Sequence, residues 1–415
     1  MSGSDGVTCV IVADDLTGAA DACAPFVGRG LSGVVMLGVS SRAPEADVVA
    51  ISTESRSLSS TEAAERVRAA SERFSPDRAH AVRFKKIDST LRGHIGAEVA
   101  AAMVAWNASR AIVAPAFPRM GRTVTRGMLQ VAWGDAPDVD SPRGHIPTLL
   151  ATQGLQDCRL VTRPAHEPSL DQWASAMESA LRSGRRVIVC DSVHDGDLDA
   201  IVHAAWAERV LWVGSAGLAA ALARRLADLQ ERARSPIVLG PPGRAGCAEQ
   251  GSVVFWIGSK QAVTLQQRQC VLSDSGSRVL ALSAADVDAL NRHLHEGRHV
   301  LVDVGPTVPD EVLAPCVHVV ANHRIAGFVM SGGDTAARMC RALGVDAIDL
   351  GGEVSSGIPW GWLHPSAATT ALGTPGLSGC TRQRWPVVLK AGGFGRPDAF
   401  VQALTFLTAG GGNDT

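Results

Sequence analysis

The feature that most restricts this chain is a repeated pairing of short, uniformly apolar runs with alanine-rich stretches of helical period. "VTCVIVA", "GVVML", "DVVAIS", "AVRFKKI", "RAIVAPA", "RVIVCDS" and "RVLWVGS" recur in the first half, separated by segments such as "TEAAERVRAASERF". Strands that are apolar at every position need cover on both faces, and intervening helices supply it, so the rhythm predicts a doubly wound, mainly parallel sheet. After the helical "LAAALARRLADLQERARS" the chain turns to "PIVLGPPGRAGCAEQG", whose proline, glycine and small residues read as a linker. A second series then runs through "SVVFWIGSKQ", "RVLALS", "HVLVDVG", "IAGFVMSGGDTAARM", "DAIDLGG" and "WPVVLKAGGFG". The expectation is two doubly wound α/β domains, residues 1–235 and 251–415, joined by a linker at 236–250. A length of 415 residues suits two cores better than one. The tail "TAGGGNDT" is expected to be disordered.

Charge excludes some partners. Lys+Arg 39 against Asp+Glu 41 gives a formal charge of -2, which offers no global attraction to nucleic acid or anionic membrane. No apolar run is long enough to span a bilayer, and "MSGSDGVTCVIV" lacks a basic signal-peptide start, so a cytoplasmic location is expected. The nine cysteines, at 9, 23, 158, 190, 247, 270, 316, 340 and 380, form no CxxC pair, which argues against structural zinc or a disulfide framework. Only four of the basic residues are lysine: Lys85, Lys86, Lys260 and Lys390. All four fall at strand-to-loop junctions, where a compact ammonium on a flexible stem has a use that arginine does not meet.

The junctions carry the chemistry. "ADDLTG" places Asp14 and Asp15 side by side at a strand end, an arrangement that calls for a cation, a proton or a substrate hydroxyl; helix capping by Asp15 is the simpler alternative. "STESRS" supplies Arg56 after another strand. "FKKIDSTLRGHIGAE" sets Lys85, Lys86, Asp88, Ser89, Thr90, Arg92 and His94 at a strand end and helix start, suited to a small anion. "PAFPRMGRTVTRG" adds Arg119, Arg122 and Thr123. All four follow strands of an open parallel sheet, which puts them on one rim, and together they suit a polyhydroxylated carboxylate. In the second half, "MSGGDTAARM" leads a strand through Gly332 and Gly333 into a helix beginning near Thr335, a place where backbone amides can hold phosphate and Asp334 can reach Mg²⁺. "WIGSKQ" and "LKAGGFG" repeat the strand-to-glycine design, and "GGEVSSGIPWG" could wrap a base or ribose. "GRGLSG" matches a dinucleotide fingerprint but precedes a strand instead of following one, so it reads as a helix end and turn. Walker A, GxSxG and HExxH sequences are all absent.

In the order "ADDLTGAADA", "STESRS", "KKIDSTLRGHIGAE", "PAFPRMGRT", "VGSAGLA", "GSKQAVTLQQ", "SGGDTA", "GGEVSSGIP" and "LKAGGFG", the chain resembles the four-carbon acid sugar kinases along nearly its whole length. The resemblance implies ATP-dependent phosphorylation of the terminal hydroxyl of threonate, erythronate or 3-oxo-tetronate, in an active site between the two domains. It implies a sugar-acid domain first, with Asp14, Asp15 and Lys86 catalytic and Arg56, Asp88, Ser89 and Arg92 binding substrate. It implies a nucleotide domain second, with ATP held by Ser259, Gly332, Gly333, Asp334, Thr335, Gly352, Glu353, Gly357, Lys390 and Gly392, and Mg²⁺ by Asp334. In this reading Asp15 bonds the attacking hydroxyl and serves as base, while Asp14 orients it or meets the metal. Lys86 and Arg92 would clamp the substrate carboxylate or the transferring phosphoryl.

Arg119, Met120 and His94 depart from the family pattern, so a kinase for another small hydroxy acid or sugar stays open. So do a nucleotide or metabolite sensor without turnover, and a homodimer as the assembly.

Overall fold

Apolar runs flanked by helices become the parallel strands of both units, as the rhythm requires. The computed structural model describes residues 7–39, 45–76, 81–132, 144–164, 167–230, 251–274, 276, 278–305, 308–365 and 384–409. The expected linker at 236–250, most of the tail, and Cys247 and Cys380 lie outside them. The chain divides into two compact units, Met1–Ile237 and Val238–Thr415.

The first unit opens with β1 (Cys9–Ala13), α1 (Leu16–Val27), β2 (Gly33–Leu37), β3 (Val48–Ser52), α2 (Ser60–Arg73), β4 (Val82–Lys86), α3 (Ile95–Ala105) and β5 (Ala111–Ala114). A hairpin of β6 (Arg122–Thr125) and β7 (Met128–Val131) follows, then α4 (Ile146–Thr152), β8 (Cys158–Val161), α5 (Leu170–Arg182), β9 (Val187–Cys190), α6 (Asp195–Ala205), β10 (Leu211–Gly214) and α7 (Ala216–Gln230). Its sheet runs β2-β3-β1-β4-β10-β5-β9-β8, and every pairing is parallel. Each residue of β1, β3, β5, β9 and β10 is buried, which explains why these segments read as unbroken apolar runs. "GRGLSG" closes α1, with Gly28 as its cap and Gly30 in the left-handed region at φ 87. The β6–β7 hairpin and β8 were not legible: the hairpin is short and half-exposed, and β8 lies at the sheet edge with alternating burial.

The second unit contains β11 (Ser252–Ile257), α8 (Ala262–Ser273), β12 (Val279–Ser283), α9 (Val287–His295), β13 (His299–Asp303), α10 (Asp310–Ala321) and β14 (Ile325–Ser331). It continues with α11 (Gly333–Ala342), β15 (Val345–Ser355), β16 (Ile358–Pro365), β17 (Pro386–Lys390) and α12 (Ala399–Thr408). Strand order is β12-β13-β11-β14-β17-β16-β15, parallel through β17 and antiparallel beyond it. "GGEVSSGIPWG" spans the end of β15, the turn at 356–357 and the start of β16. A core of Val253, Phe255, Val329, Val388, Phe400 and Leu404 joins this sheet to α12. Among the described residues, no helix is long and apolar enough to cross a membrane.

Close approach explains one glycine in "VGSAGLA". A β-carbon on Gly217 would stand 2.3 Å from the carbonyl oxygen of Ala116 and 3.0 Å from Cα of Phe117, both backbone atoms. Gly217→Ala should therefore cost about 1–3 kcal/mol, seen as a lower Tm in thermal unfolding. Gly196→Ala, where a β-carbon meets nothing within 4 Å, is the control and should leave Tm unchanged or slightly raised.

Candidate active site

The strand order of the first unit fixes where its loops converge. From β1 the chain passes through α1 to β2, on the far side of β3; from β3 it passes through α2 to β4, on the other side of β1. Loops leaving these strands in opposite directions open a crevice at their carboxyl ends, the usual ligand position in open α/β sheets. Ala13 is in register with both Ser52 and Lys86, so the three strands end level. Asp14–Asp15, Arg56 and the segment from Lys86 to Arg92 are thereby brought together.

Arg56 is the hub. Its Nε donates to Asp14 Oδ2 at 2.6 Å, its Nη1 donates to Asp15 Oδ2 at 2.9 Å, and Nη2 stands 2.9 Å from Asp15 Oδ1 and 3.6 Å from Asp88 Oδ1. Burial opposes the charge on Arg56, but the three carboxylates outweigh it and hold its pKa well above the ordinary arginine value. Burial likewise pushes Asp14 up; Arg56, Lys85 and Lys86 reverse this and leave its pKa below the usual carboxylate value.

The two adjacent acids have different occupancies. Asp15 is the cap of α1: Oδ1 accepts from the Gly18 amide at 2.9 Å and Oδ2 from Thr17 Oγ1 at 3.0 Å, in addition to the Arg56 contacts. Capping and charge pairing are thus both true of Asp15, and its two oxygens are fully engaged. Asp14 Oδ1 is buried and has no hydrogen-bond partner among the described residues. The acceptor with capacity left is therefore on Asp14 and not on Asp15. Lys86, 3% exposed, donates to the Ile87 carbonyl at 3.0 Å, and its Nζ would lie 3.0 Å from a β-carbon on Gly18. Its ammonium sits over the first turn of α1, beside the Asp15 carboxylate.

Asp88 is a loop organiser. Its carboxylate receives Thr90 Oγ1 at 2.5 Å, the amides of Thr90 and Arg92 at 3.2 Å, and the Arg92 side chain through Nε at 2.9 Å and Nη2 at 2.8 Å. Burial raises the Asp88 pKa, yet Arg56 and the Arg92 and Thr90 bonds hold it well below the ordinary range. With its oxygens committed to the 88–92 turn, Asp88 shapes the site instead of offering an acceptor. Arg92 remains half-exposed at the edge, and Ser89 is buried beside it. His94 bonds the Leu58 carbonyl through Nε2 at 2.6 Å, linking this turn to the Arg56 loop.

Of the fourth expected loop, Arg119 is directed away: it pairs with Asp195 at 2.5 Å on the surface. Arg122 is 2% exposed, donates to the Met120 carbonyl and lies within electrostatic reach of Asp88 and Asp21. Sequence reasoning missed the support beneath the site. Lys85 is fully buried and pairs with Glu98 of α3 at 2.9 Å, while the other Glu98 oxygen accepts from Ser55 Oγ at 2.5 Å. Thr53 and Ser55 hydroxyls are 2.8 Å apart, and the Ser55 amide donates to the Asp14 carbonyl. The signal was present: adjacent residues on a strand face opposite ways, so Lys85 and Lys86 could not both enter one pocket, and Glu98 is the only acid in apolar "IGAEVAAAMVA".

In the second unit, glycines hold four loops close together. A β-carbon on Gly258 would stand 1.9 Å from Thr335 Oγ1, and one on Gly392 would stand 2.3 Å from Ser259 Oγ. Gly332, at φ 102, is the N-cap of α11 and has no side chain to cap it, so the first-turn amides from Gly333 to Thr335 face the loop cradle. Asp334 is exposed at this turn. The helix begins at Gly333, two residues before the expected start. Gly352 adopts φ 134, and the Gly357 amide donates to Glu353 Oε1 at 2.8 Å, closing the hairpin turn. Trp360 pairs with Val388, and a β-carbon on Gly395 would meet Ile358 Cδ1 at 2.9 Å, so the hairpin tip borders the 391–395 loop. Lys390 does not face the cradle as a phosphate ligand. It is 1% exposed, and Nζ donates to Thr264 Oγ1 at 3.1 Å and to the carbonyls of Ala391 and Gly392 at 2.9 Å each. Burial pushes its pKa down to about 7. Lys390 fixes the loop that Ser259 packs against.

A family model described as a sugar-binding N-terminal domain matches residues 9–222, and one described as a nucleotide-binding C-terminal domain matches residues 259–400. The chain belongs to the family built from these two domains, and the resemblance to four-carbon acid sugar kinases is borne out. It is similar to a D-threonate kinase from Bordetella bronchiseptica, 34% identical over 95% of this chain and 96% of that one. A 3-oxo-tetronate kinase from Cupriavidus necator is 30% identical, with 95% of each chain covered. The fold is shared with a solved Haemophilus influenzae protein of the DUF1537 type: TM-score 0.67, 22% identity, 95% of this chain and 98% of that one.

Two outcomes follow from the buried charges. Removing one partner of the Lys85–Glu98 pair strands the other in the core, so Lys85→Met should lose about 3–5 kcal/mol of stability in denaturant unfolding. Asp88 binds protons more weakly folded than unfolded, so its contribution is complete above the ordinary value of 3.8 and is lost as pH falls below it. Asp88→Asn should therefore be less stable than the parent at pH 7, and the gap should narrow in unfolding measured near pH 3.

Proposed function

We propose that this protein is an ATP-dependent kinase that phosphorylates the terminal hydroxyl of a four-carbon acid sugar of the threonate, erythronate or 3-oxo-tetronate class. The named relatives and the two family models support a phosphotransferase with an alcohol acceptor and a nucleotide donor. In this reading residues 1–235 hold the acid and residues 251–415 hold the nucleotide. The observation that carries the reading is the buried Asp14 Oδ1, an acceptor with no donor among the described residues, in a cluster that also holds the Lys86 ammonium.

Phosphoryl transfer passes through a loose transition state, so positioning and charge stabilisation matter more than a strong base. Asp14 accepts the hydrogen bond of the attacking hydroxyl through Oδ1 and aims its oxygen. Its depressed pKa makes it a weak base that holds the proton's direction and takes the proton late. Lys86 and the exposed edge of Arg92 meet the anionic groups, either the substrate carboxylate or the phosphoryl oxygens. Arg56 keeps both acids ionised and fixed, and Asp15 anchors the turn. In the nucleotide unit, Ser259, the amides from Gly333 to Thr335, and Gly392 line the phosphate cradle, with Gly352, Glu353 and Gly357 at its border. Mg²⁺ at a kinase site is held largely by phosphate oxygens and needs only one or two protein carboxylates. Asp334 fits that requirement, and no cluster of three metal-binding side chains occurs among the described residues. The bound ion would neutralise charge on the β- and γ-phosphates.

Mg-ATP with D- and L-threonate, D- and L-erythronate and their 3-oxo forms should give ADP with at least one of these acids; silence across the panel would overturn the substrate class. Asp14→Asn should lower kcat by about 10²–10³-fold, at least ten times more than Asp15→Asn. A larger loss in Asp15→Asn would return the acceptor role to that residue.

A further inference from the structure

Lys390 is a buried cation without a counter-charge. It is 1% exposed and makes no ion pair among the described residues. Its bonds to Thr264 Oγ1 at 3.1 Å and to the Ala391 and Gly392 carbonyls at 2.9 Å each employ all three donors of an ammonium. The Phe400 ring of α12 lies 5.7 Å from Nζ, a further weak attraction for the charged form. The charged groups of the surrounding elements are engaged elsewhere. Arg268 of α8 pairs with Asp303, and Asp398, ahead of α12, accepts from Gln402 and stands 3.7 Å from Arg396. Strand β14 carries no titratable side chain, and His364 of β16 is taken by Asp349. Cys270 of α8, Lys260 after β11 and Asp334 after β14 make no bond to Nζ. Burial therefore acts unopposed on Lys390 and brings its pKa down to about 7.

The contacts of this one residue tie together the three loops that form the phosphate cradle. Its carbonyl oxygen accepts the amide of Gly332, the cap of α11, at 2.9 Å. Thr264 Oγ1, which accepts from Nζ, donates to the Gly392 carbonyl at 2.8 Å and lies 3.2 Å from Ser259 Oγ. Ser259 Oγ in turn occupies the space beside Gly392, 2.3 Å from where a β-carbon would stand. The loops after β11, β14 and β17 thus meet through Lys390.

Loss of the proton changes this arrangement. A neutral amine has two N–H donors and a lone pair, so the Ala391 and Gly392 carbonyls keep their bonds and the lone pair takes the Thr264 hydroxyl. The hydrogen of that hydroxyl is then withdrawn from Gly392 and Ser259, and the contact between the β11 and β17 loops loosens. An anion held by these loops acts in the opposite sense, because negative charge nearby favours the ammonium.

We propose that Lys390 is a positioning residue that couples the cradle to a proton: its charged Nζ holds Thr264 and the 391–392 carbonyls in the arrangement a phosphate-bearing ligand requires, and such a ligand binds together with a proton taken up from solvent at Nζ. The proposal rests on the kinase reading and adds pH control of nucleotide binding to it. Coupling of this kind is reciprocal, so the factor by which protonation tightens the nucleotide is the factor by which the nucleotide tightens the proton.

The chain has four lysines, so ¹³Cε-lysine labelling of the full protein gives few enough signals to titrate individually. The Lys390 signal is the one missing from Lys390→Arg or Lys390→Met. Its midpoint in the parent should lie near 7 without ligand, and about one pH unit or more higher with saturating ADP. By calorimetry, ADP affinity of the parent should fall about fivefold or more between about pH 7 and pH 9. Lys390→Arg, whose guanidinium keeps its charge, should hold that affinity nearly flat, a difference that a merely structural role would not produce. The parent's own titration carries the test where Lys390→Arg does not fold, with Lys390→Met identifying the signal. A Lys390 midpoint that ADP leaves unmoved, a flat parent affinity, or a Lys390→Arg profile as steep as the parent's would overturn the coupling and leave the kinase reading in place. Failure of the parent to bind ADP at any pH would overturn both.

Discussion

One guanidinium, that of Arg56, decides whether the first unit has a site at all. Asp14, Asp15 and Asp88 come from two loops and would repel one another in a space with little water; Arg56 enters from a third loop and bonds or approaches all three. Its position depends in turn on the Ser55 and Thr53 hydroxyls, which rest on Glu98, which is held by Lys85. Charge is balanced across this nest: Asp14, Asp15, Asp88 and Glu98 face Lys85, Lys86, Arg56 and Arg92. A buried network of this kind is stable when complete and costly when any member is lost, which suits a site whose acids must stay ionised and immobile.

The scarce lysines divide by role. Lys85 and Lys390 are buried supports, one paired with Glu98 and the other holding the 391–392 carbonyls. Lys86 faces the acid pair, and Lys260 lines an open cavity beside the glycine loops. Their shared position at strand-to-loop junctions was legible from sequence. Their division into buried supports and side chains that face the acid pair or the cavity was not, because it depends on which face of the sheet each side chain takes and what packs there.

The second unit shows the complementary use of absence. Glycines at 258 and 392 carry no side chain because the neighbouring Thr335 and Ser259 occupy the space a β-carbon would need, and Gly332 stands at φ 102, a backbone conformation that favours glycine. Loops thus approach closely enough for the uncapped amides of α11 to face one small volume, a geometry that favours phosphate through dipole and hydrogen bonds together. The sensitivity of the two units differs accordingly: the first depends on charge pairs, the second on close backbone packing.

Sequence by itself determined the α/β class, the two series of strands, the rim on which the motifs lie, and the family. Periodicity and the order of elements dictate these, since an all-apolar strand has to be buried on both faces and a parallel sheet has to be wound through helices. It also marked Asp14 and Asp15 as a pair in need of a cation, and Arg56 as a candidate to supply it. Tertiary structure alone decided which acid has an oxygen to give: Asp15 is consumed by capping and by Arg56, while Asp14 keeps Oδ1 without a donor among the described residues. It alone removed Arg119 to the surface and turned Lys390 into the loop. Hydrogen-bond capacity is a property of neighbours brought together across tens of residues, and no local pattern of residue types records it.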